Sequence, residues 1–207
     1  MFDQMEDALP GLEIDFSNQF GVTRRSGLLH STRVATNLGW RAVEALAAGD
    51  EVLTFDRGPQ RIVEIDRIIN WPDHKTCPDH AAPVEVPAGV LGNQERIWML
   101  PNQVVMVESD IAEARTGDPF ALVPVSTLEG WRGIKRVSLR APHLVVVLHF
   151  ARDEVIYVGQ GTLAFMPAQG SLLDHAYGAS MYEPLDQREA RSVIDGLRAA
   201  DAAVRMS

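Results

Sequence analysis

Two short stretches of this chain concentrate side chains that could do chemistry. The first, SGLLHSTRVAT at 26–36, sets Ser26, Ser31, Thr32 and Thr36 around His30. A hydroxyl becomes an effective nucleophile when a neighbouring base takes its proton, and imidazole is the usual base near neutral pH. His30 has the right chemistry to activate Ser26 or Ser31, and it also suits an ordinary polar loop. The second, DHKTCPDH at 73–80, places His74, Cys77 and His80 between Asp73 and Asp79. Imidazole and thiolate are the ligands zinc prefers. The spacing is compact, no distant fourth ligand is evident, and Pro72 and Pro78 equally suit an exposed loop. His143 and His149 flank an apolar run, where a strand-end and a half-buried histidine need no catalytic role. His175, with Asp174, Tyr177 and Tyr182, falls in a segment read as a linker to the last helix. The chain has no Gly-x-Ser-x-Gly elbow, no His-Glu-x-x-His and no phosphate-binding glycine loop, so neither a hydrolase nor a nucleotide site is indicated.

Charge and composition narrow the possible partners. The net charge of −9 over 207 residues argues against nucleic acid or an anionic membrane, both of which need clustered Lys and Arg. The longest apolar stretch, HLVVVLHFA, is far too short to span a bilayer. Five carboxylates precede the first basic residue, Arg24, which is the reverse of a secretory leader. The single cysteine, Cys77, excludes an intrachain disulfide and fits a reducing compartment. The expected location is the cytoplasm, with a leaderless export route still open. No cofactor and no small-molecule substrate is evident.

The elements that would position these residues are short. Residues 1–25 are acidic and aperiodic and read as an arm. From about residue 32, short β-rich runs end in turns rich in Gly, Pro, Asn or Asp: STRVAT, EVLTFD, RIVEIDRII, PVEVPAG, FALVPVS, IKRVSL, HLVVVLHFA and EVIYVG. RIWMLPNQVVMVES reads as two strand pieces bent at Pro101. No long amphipathic helix separates the strands, so the pattern predicts a compact all-β fold and not βαβ units. Two helical turns are expected: VEALAAGD, stopped by Gly49, and VSTLEG, with Ser126 as its cap. One true helix is expected at about 185–205, where Leu185, Val193, Ile194, Leu197 and Val204 recur at helical spacing. Its apolar stripe suits docking on the chain's own sheet; a partner or dimer interface is the other use of such a stripe.

The most informative block is TRVATNLGWRAVEALAAGDEVLTFDRG, at 32–58. It resembles the N-terminal block of Hint domains, the module shared by hedgehog autoprocessing domains and inteins, and more closely the bacterial branch of that superfamily. Thr32, Ala35, Thr36, Gly39, Val43, Glu44, Leu46, Gly49, Asp50, Val52, Thr54 and Asp56 stand in the family's register. VPAGVLGNQ, WMLPNQVVMV and RDEVIYVGQG resemble three later family blocks in the same order, so the likeness runs over about residues 27–168. In physical terms Gly39 and Gly49 give tight turns their backbone freedom. Asp50 can hold a turn by hydrogen bonding, and Val43, Leu46, Val52 and Phe55 can bury the corner. The division implied is an arm at 1–25, a Hint-like domain at 26–168, and a linker with a helix at 169–207.

The resemblance also implies a chemistry, and this chain departs from it. Family members begin with an acyl shift in which a thiol at the module's first residue attacks the preceding carbonyl, helped by a histidine proton donor. Register places that cysteine at Gly27, which has no side chain. The family's Gly and Pro before Thr32 fall at Ser31 and His30. In the second block its Thr or Ser falls at Leu100, and its His at Gln103, whose amide cannot shuttle a proton. In the closing block one His falls at Asp153 and another near Val147. No His-Asn pair ends the module. The expectation is a module without autoprocessing activity that acts as a structural or protein-interaction domain, with another protein or a second copy as partner. A self-cleaving protein using Ser26 or Ser31, and a metal-binding module built on His74, Cys77 and His80, are the alternatives.

Overall fold

Alternating and continuous apolar runs of this length can bury only one face or stripe each, so they must stack in layers. The computed structural model describes residues 26–70, 77, 81–138, 142–168 and 182–206. Its strands are β1 (Leu28–Leu29), β2 (Arg33–Thr36), β3 (Gly39–Ala42), β4 (Glu51–Thr54), β5 (Gly58–Arg61), β6 (Glu64–Asn70) and β7 (Val84–Val86), followed by β8 (Ile97–Met99), β9 (Val104–Glu108), β10 (Phe120–Pro124), β11 (Lys135–Arg136), β12 (His143–His149), β13 (Glu154–Val158) and β14 (Thr162–Met166). The helices are α1 (Asp110–Thr116) and α2 (Gln187–Met206). The strands form two antiparallel sheets. One runs β11-β7-β8-β1-β12-β6, and the other β10-β9-β14-β13-β2-β4-β5, with β3 paired on β2. The all-β expectation with a C-terminal helix therefore holds.

The main core includes Leu28, Val34, Val52, Ile97, Val146 and Ile156, drawn from both sheets and each at most 2% exposed. HLVVVLH becomes β12, buried at every position except His149, between β1 and β6. A continuous apolar run suits a strand covered on both faces. β6 and β12 pair along seven residues, from Asn70 opposite His143 to Glu64 opposite His149.

The corner block folds as its local chemistry dictates. At the β2–β3 turn the Thr36 hydroxyl donates to the Gly39 carbonyl at 2.7 Å and accepts from the Leu38 amide at 3.1 Å. Gly39 takes φ +99, a region that costs glycine little and other residues much. A 3-10 turn at Val43–Ala45 buries Val43 and Leu46. Asp50 accepts from the Ala47 amide and from Arg41, both at 2.9 Å. Phe55 departs from expectation, since it packs only partly buried in a separate cluster with Val155 and Phe165.

Other details also differ from the sequence reading. α1 lies where no helix was expected. Ser109 caps it by accepting from the Ala112 amide, and Gly117 ends it at φ +78. The turn at Val125–Leu128 has no side-chain cap, so Ser126 does not play that part, and Thr127 donates to the Pro124 carbonyl at 2.7 Å instead. β1 and β14 were not read as strands. α2 docks on its own chain, against α1, β10 and the Val125–Leu128 turn, and buries Ala190, Val193 and Ile194 in the main core. Asp201 fixes its far end by accepting from the Trp131 indole at 2.9 Å and from Arg132 Nε at 2.7 Å. No helix among the described residues is long and apolar enough to cross a membrane.

Candidate functional site

The stretch around Gly27 meets the second family block in space. β1 is a two-residue strand wedged between β8 and β12, with Leu28 opposite both Met99 and Val146. The Gly27 carbonyl accepts from the Leu100 amide at 3.2 Å. The Ser26 hydroxyl donates to Gln103 Oε1 at 3.3 Å. Ser26 and Gly27 thus meet Leu100 and Gln103, far apart in sequence, at one point.

Gly27 brings no side chain to that point. Gly27 sits at φ +138, outside the range that L side chains readily adopt. A Cβ built on it would lie 2.6 Å from Val145 Cγ1, 3.1 Å from Val147 Cγ2 and 3.2 Å from the Val146 carbonyl oxygen. The space a cysteine side chain needs is filled by β12. Val147 is one of the residues filling it. Leu100 is fully buried and brings no hydroxyl.

Gln103 is 1% exposed and committed to structure. Its Nε2 donates to the Phe165 carbonyl at 2.8 Å and the Val104 carbonyl at 3.0 Å, while its Oε1 accepts from Ser26. Its backbone carbonyl accepts from the Val125 amide at 2.8 Å. The side-chain amide is a staple holding the entry segment, β9 and β14, and the backbone carbonyl adds the Val125–Leu128 turn. An amide oxygen that already accepts from Ser26 lacks the basicity to deprotonate it.

The other candidates are dispersed. Ser31 lies in the exposed turn at the far end of β1, at φ 69, its amide donating to Glu44 Oε2 at 2.8 Å. Thr32 is buried, and its carbonyl accepts from the Val43 amide at 2.9 Å. His30 is exposed and stacks on His143, with ring centroids 6.3 Å apart. Burial, then the neighbouring His30 charge, hold the His143 imidazole below its ordinary pKa. His149 bonds Asp66 at 3.1 Å at the opposite end of β12, so the two strand histidines form no pair. Asp153 accepts from the Ala168 amide at 2.7 Å and secures the chain leaving β14. Cys77 is buried beside Ala81 and Ala82; His74, His80 and His175 lie outside the described residues. No group of three or more metal-ligating side chains occurs among the described residues.

The later family blocks serve packing. The turns at 87–94 and 159–161 touch, with the Gln94 amide donating to the Gly159 carbonyl at 3.0 Å. A Cβ on Gly161 would strike the Gly92 carbonyl oxygen, so both glycines are needed for this approach. Asn93, 1% exposed, fastens the first turn by donating to the Pro87 and Glu95 carbonyls at 2.8 Å. Glu154, also 1% exposed, is held by the Arg57 guanidinium. Sequence reasoning missed Val145, whose side chain fills the space beside Gly27. Nothing local signals it, because its nearness to Gly27 depends on the β1–β12 register.

The solution structure of a bacterial intein-like domain from Clostridium thermocellum is similar, with 12% identity, 69% of this chain and 99% of that one covered, and a TM-score of 0.43. The crystal structure of the MchDnaB-1 intein in a variant form is similar at 17% identity over 68% and 99%, with a TM-score of 0.43. A splice-inactive AceL NrdHF class 3 split intein is similar at 17% identity over 69% and 98%, with a TM-score of 0.42. No curated protein matches the chain. The family model described as Hint domain matches residues 26–163. The chain belongs to the Hint domain family.

Proposed function

We propose that this chain is a Hint module that does not process itself and serves as a structural or protein-interaction domain, with its N-terminal arm left attached. The observation that carries this reading is Gly27. It lacks a side chain, and Val145 Cγ1 stands 2.6 Å from where a Cβ would be. An acyl shift needs a nucleophile next to the scissile carbonyl and a group to protonate the leaving nitrogen. Gly27 supplies no nucleophile, and the Gln103 amide cannot exchange a proton near neutral pH. Of the residues in the family's register, Gly39 and Asp50 hold turns. The partner is a protein, either a different one or a second copy, and the location is the cytoplasm. The reading is tested by incubating the purified chain with dithiothreitol or hydroxylamine and measuring its mass. One uncleaved species is expected, and a product beginning at Ser26 or Gly27 would overturn it.

One contact favours a second reading, self-cleavage at the Arg25–Ser26 bond with the Ser26 hydroxyl as nucleophile: that hydroxyl lies 3.3 Å from Gln103 Oε1. This reading predicts a fragment that disappears in Ser26→Ala. The metal reading rests on His74 and His80 in addition to Cys77, and metal analysis of the purified protein decides it.

A further inference from the structure

The β2–β3 hairpin leaves a sheet edge open. Among the described residues β3 pairs only with β2. The Val43 amide donates to the Thr32 carbonyl, so Thr32–Val43, Val34–Arg41 and Thr36–Gly39 are the hydrogen-bonded pairs of this ladder. Trp40 and Ala42 fall between them, and their N–H and C=O groups point away from β2. Open edges invite another strand, and folds guard them with proline, charge or a cover. The other edges here are guarded. β5 carries Pro59 and Arg61, β6 carries Glu64, Asp66 and Arg67, and β11 is only Lys135–Arg136. β10 is covered where the Leu185 amide donates to the Leu122 carbonyl at 2.9 Å. On β3 the one charged side chain, Arg41, folds back on its own chain, donating to Asp50 at 2.9 Å and to the Ala45 carbonyl at 2.6 Å. The hairpin shows solvent large apolar side chains: Leu38 at its tip is 81% exposed and Trp40 is 37% exposed.

We propose that this edge docks a second copy of the chain, β3 against β3, antiparallel about a two-fold axis at Trp40. A two-fold interface sets the same surface on both copies, so the strand must complement itself. Centred on Trp40, it does. The outward N–H and C=O of each Trp40 bond those of the other, and the indoles form a cross-strand aromatic pair. Gly39 of one copy faces Arg41 of the other, so no like charges meet. Leu38 of one copy reaches towards Ala42 of the other, which joins the apolar side chains of both tips. The neighbouring register, centred on Arg41, would set guanidinium opposite guanidinium and is disfavoured. The net charge of −9 does not oppose approach at this end, because its charges are already paired: Arg33 with Glu95, Arg41 with Asp50, and Arg61 with Glu51. A contact of one short strand per copy falls below the roughly 1,000 Å² of a stable complex, so the dimer exchanges with monomer. The inference rests on the interaction reading above and gives it a partner.

The test is sedimentation equilibrium of the full-length chain from about 10 µM to about 1 mM, joined to isotope-filtered NMR on the concentrated sample. A monomer–dimer equilibrium is expected. In a mixture of labelled and unlabelled copies, Gly39 Hα should show an NOE to Arg41 Hα of the other copy, because such a pair brings the Cα atoms within about 4.5 Å. Ala42→Pro should raise the dimer Kd about tenfold, by removing one outward donor from each copy. The fold should tolerate it, since Ala42 already has φ −63 and its N–H points away from β2. Leu38→Lys should also weaken association while leaving the thermal midpoint unchanged. Val63→Lys, at an exposed apolar residue away from this edge, should change neither. A chain that stays monomeric at about 1 mM overturns the proposal, as does a dimer insensitive to Ala42→Pro and Leu38→Lys, or one without the Gly39–Arg41 NOE. If Ala42→Pro does not fold, Leu38→Lys and the NOE decide. Intact mass on the same samples separates the two failures, since a cleaved chain refutes the silent module and an intact monomer refutes only this contact.

Discussion

Placing a cysteine at Gly27 should damage the protein without giving it chemistry. Two costs follow from the geometry. Holding a residue with a Cβ at φ +138 costs about 1–3 kcal/mol of backbone strain. Forcing that Cβ against Val145 Cγ1 at 2.6 Å adds overpacking of about 1–3 kcal/mol, because Val145 is fully buried on β12 and cannot swing aside. Together these are a large part of the roughly 5–15 kcal/mol that stabilises an ordinary domain. Gly27→Ala and Gly27→Cys should both lower the urea midpoint, and by similar amounts, because the Cβ and not the sulfur causes the strain. In the Gly27→Ala background, Val145→Ala should cost clearly less than it does alone, since it relieves the clash it otherwise merely empties. Dithiothreitol should release no fragment from Gly27→Cys. A Gly27→Cys protein as stable as wild type, additive effects of the two alanine substitutions, or thiol-induced cleavage would each refute the reasoning.

Other outcomes follow from the same contacts. Gln103→His should not cleave and should cost about 1–3 kcal/mol in urea denaturation, because an imidazole cannot serve Phe165, Val104 and Ser26 together and leaves a buried acceptor unpaired. His143 has a lowered folded pKa, so the unfolded chain binds its proton more readily. Its contribution is therefore complete above the unfolded value near 6.5 and is lost as pH falls through the lower folded value; the wild-type minus His143→Gln stability difference should decline over that window. Asp201→Asn should lower the thermal midpoint by loosening α2 from Trp131 and Arg132, at a cost of about 1–2 kcal/mol given the part-exposed guanidinium. Cys77 should resist maleimide in native protein and react at once in denaturant, because it is only 2% exposed.

Legibility in the sequence followed the range of the interactions. The corner from Thr32 to Asp56 could be read because its determinants are local: Gly39 and Gly49 in positive φ, the Thr36 hydroxyl across its own turn, and Asp50 on Ala47. The closing blocks could be aligned but not explained, since the need for Gly161 arises only where it meets Gly92. β1 was missed because two leucines carry no periodicity, and β8 and β12 make them a strand. α1 is too short for a helical pattern, although Ser109 and Gly117 mark its ends. At the site, the sequence named Gly27 and Gln103 as the altered positions. It could not tell that the Gln103 side chain staples three segments or that Val145 fills the space beside Gly27, because both depend on strand register.

The central claim is that this Hint module keeps its peptide chain whole. Intact-mass measurement after expression and after prolonged incubation, with and without dithiothreitol or hydroxylamine, tests it most directly. The account predicts a single uncleaved chain of 22.8 kDa under every condition. A truncated species beginning at Ser26 or Gly27, growing with time or nucleophile, would contradict it.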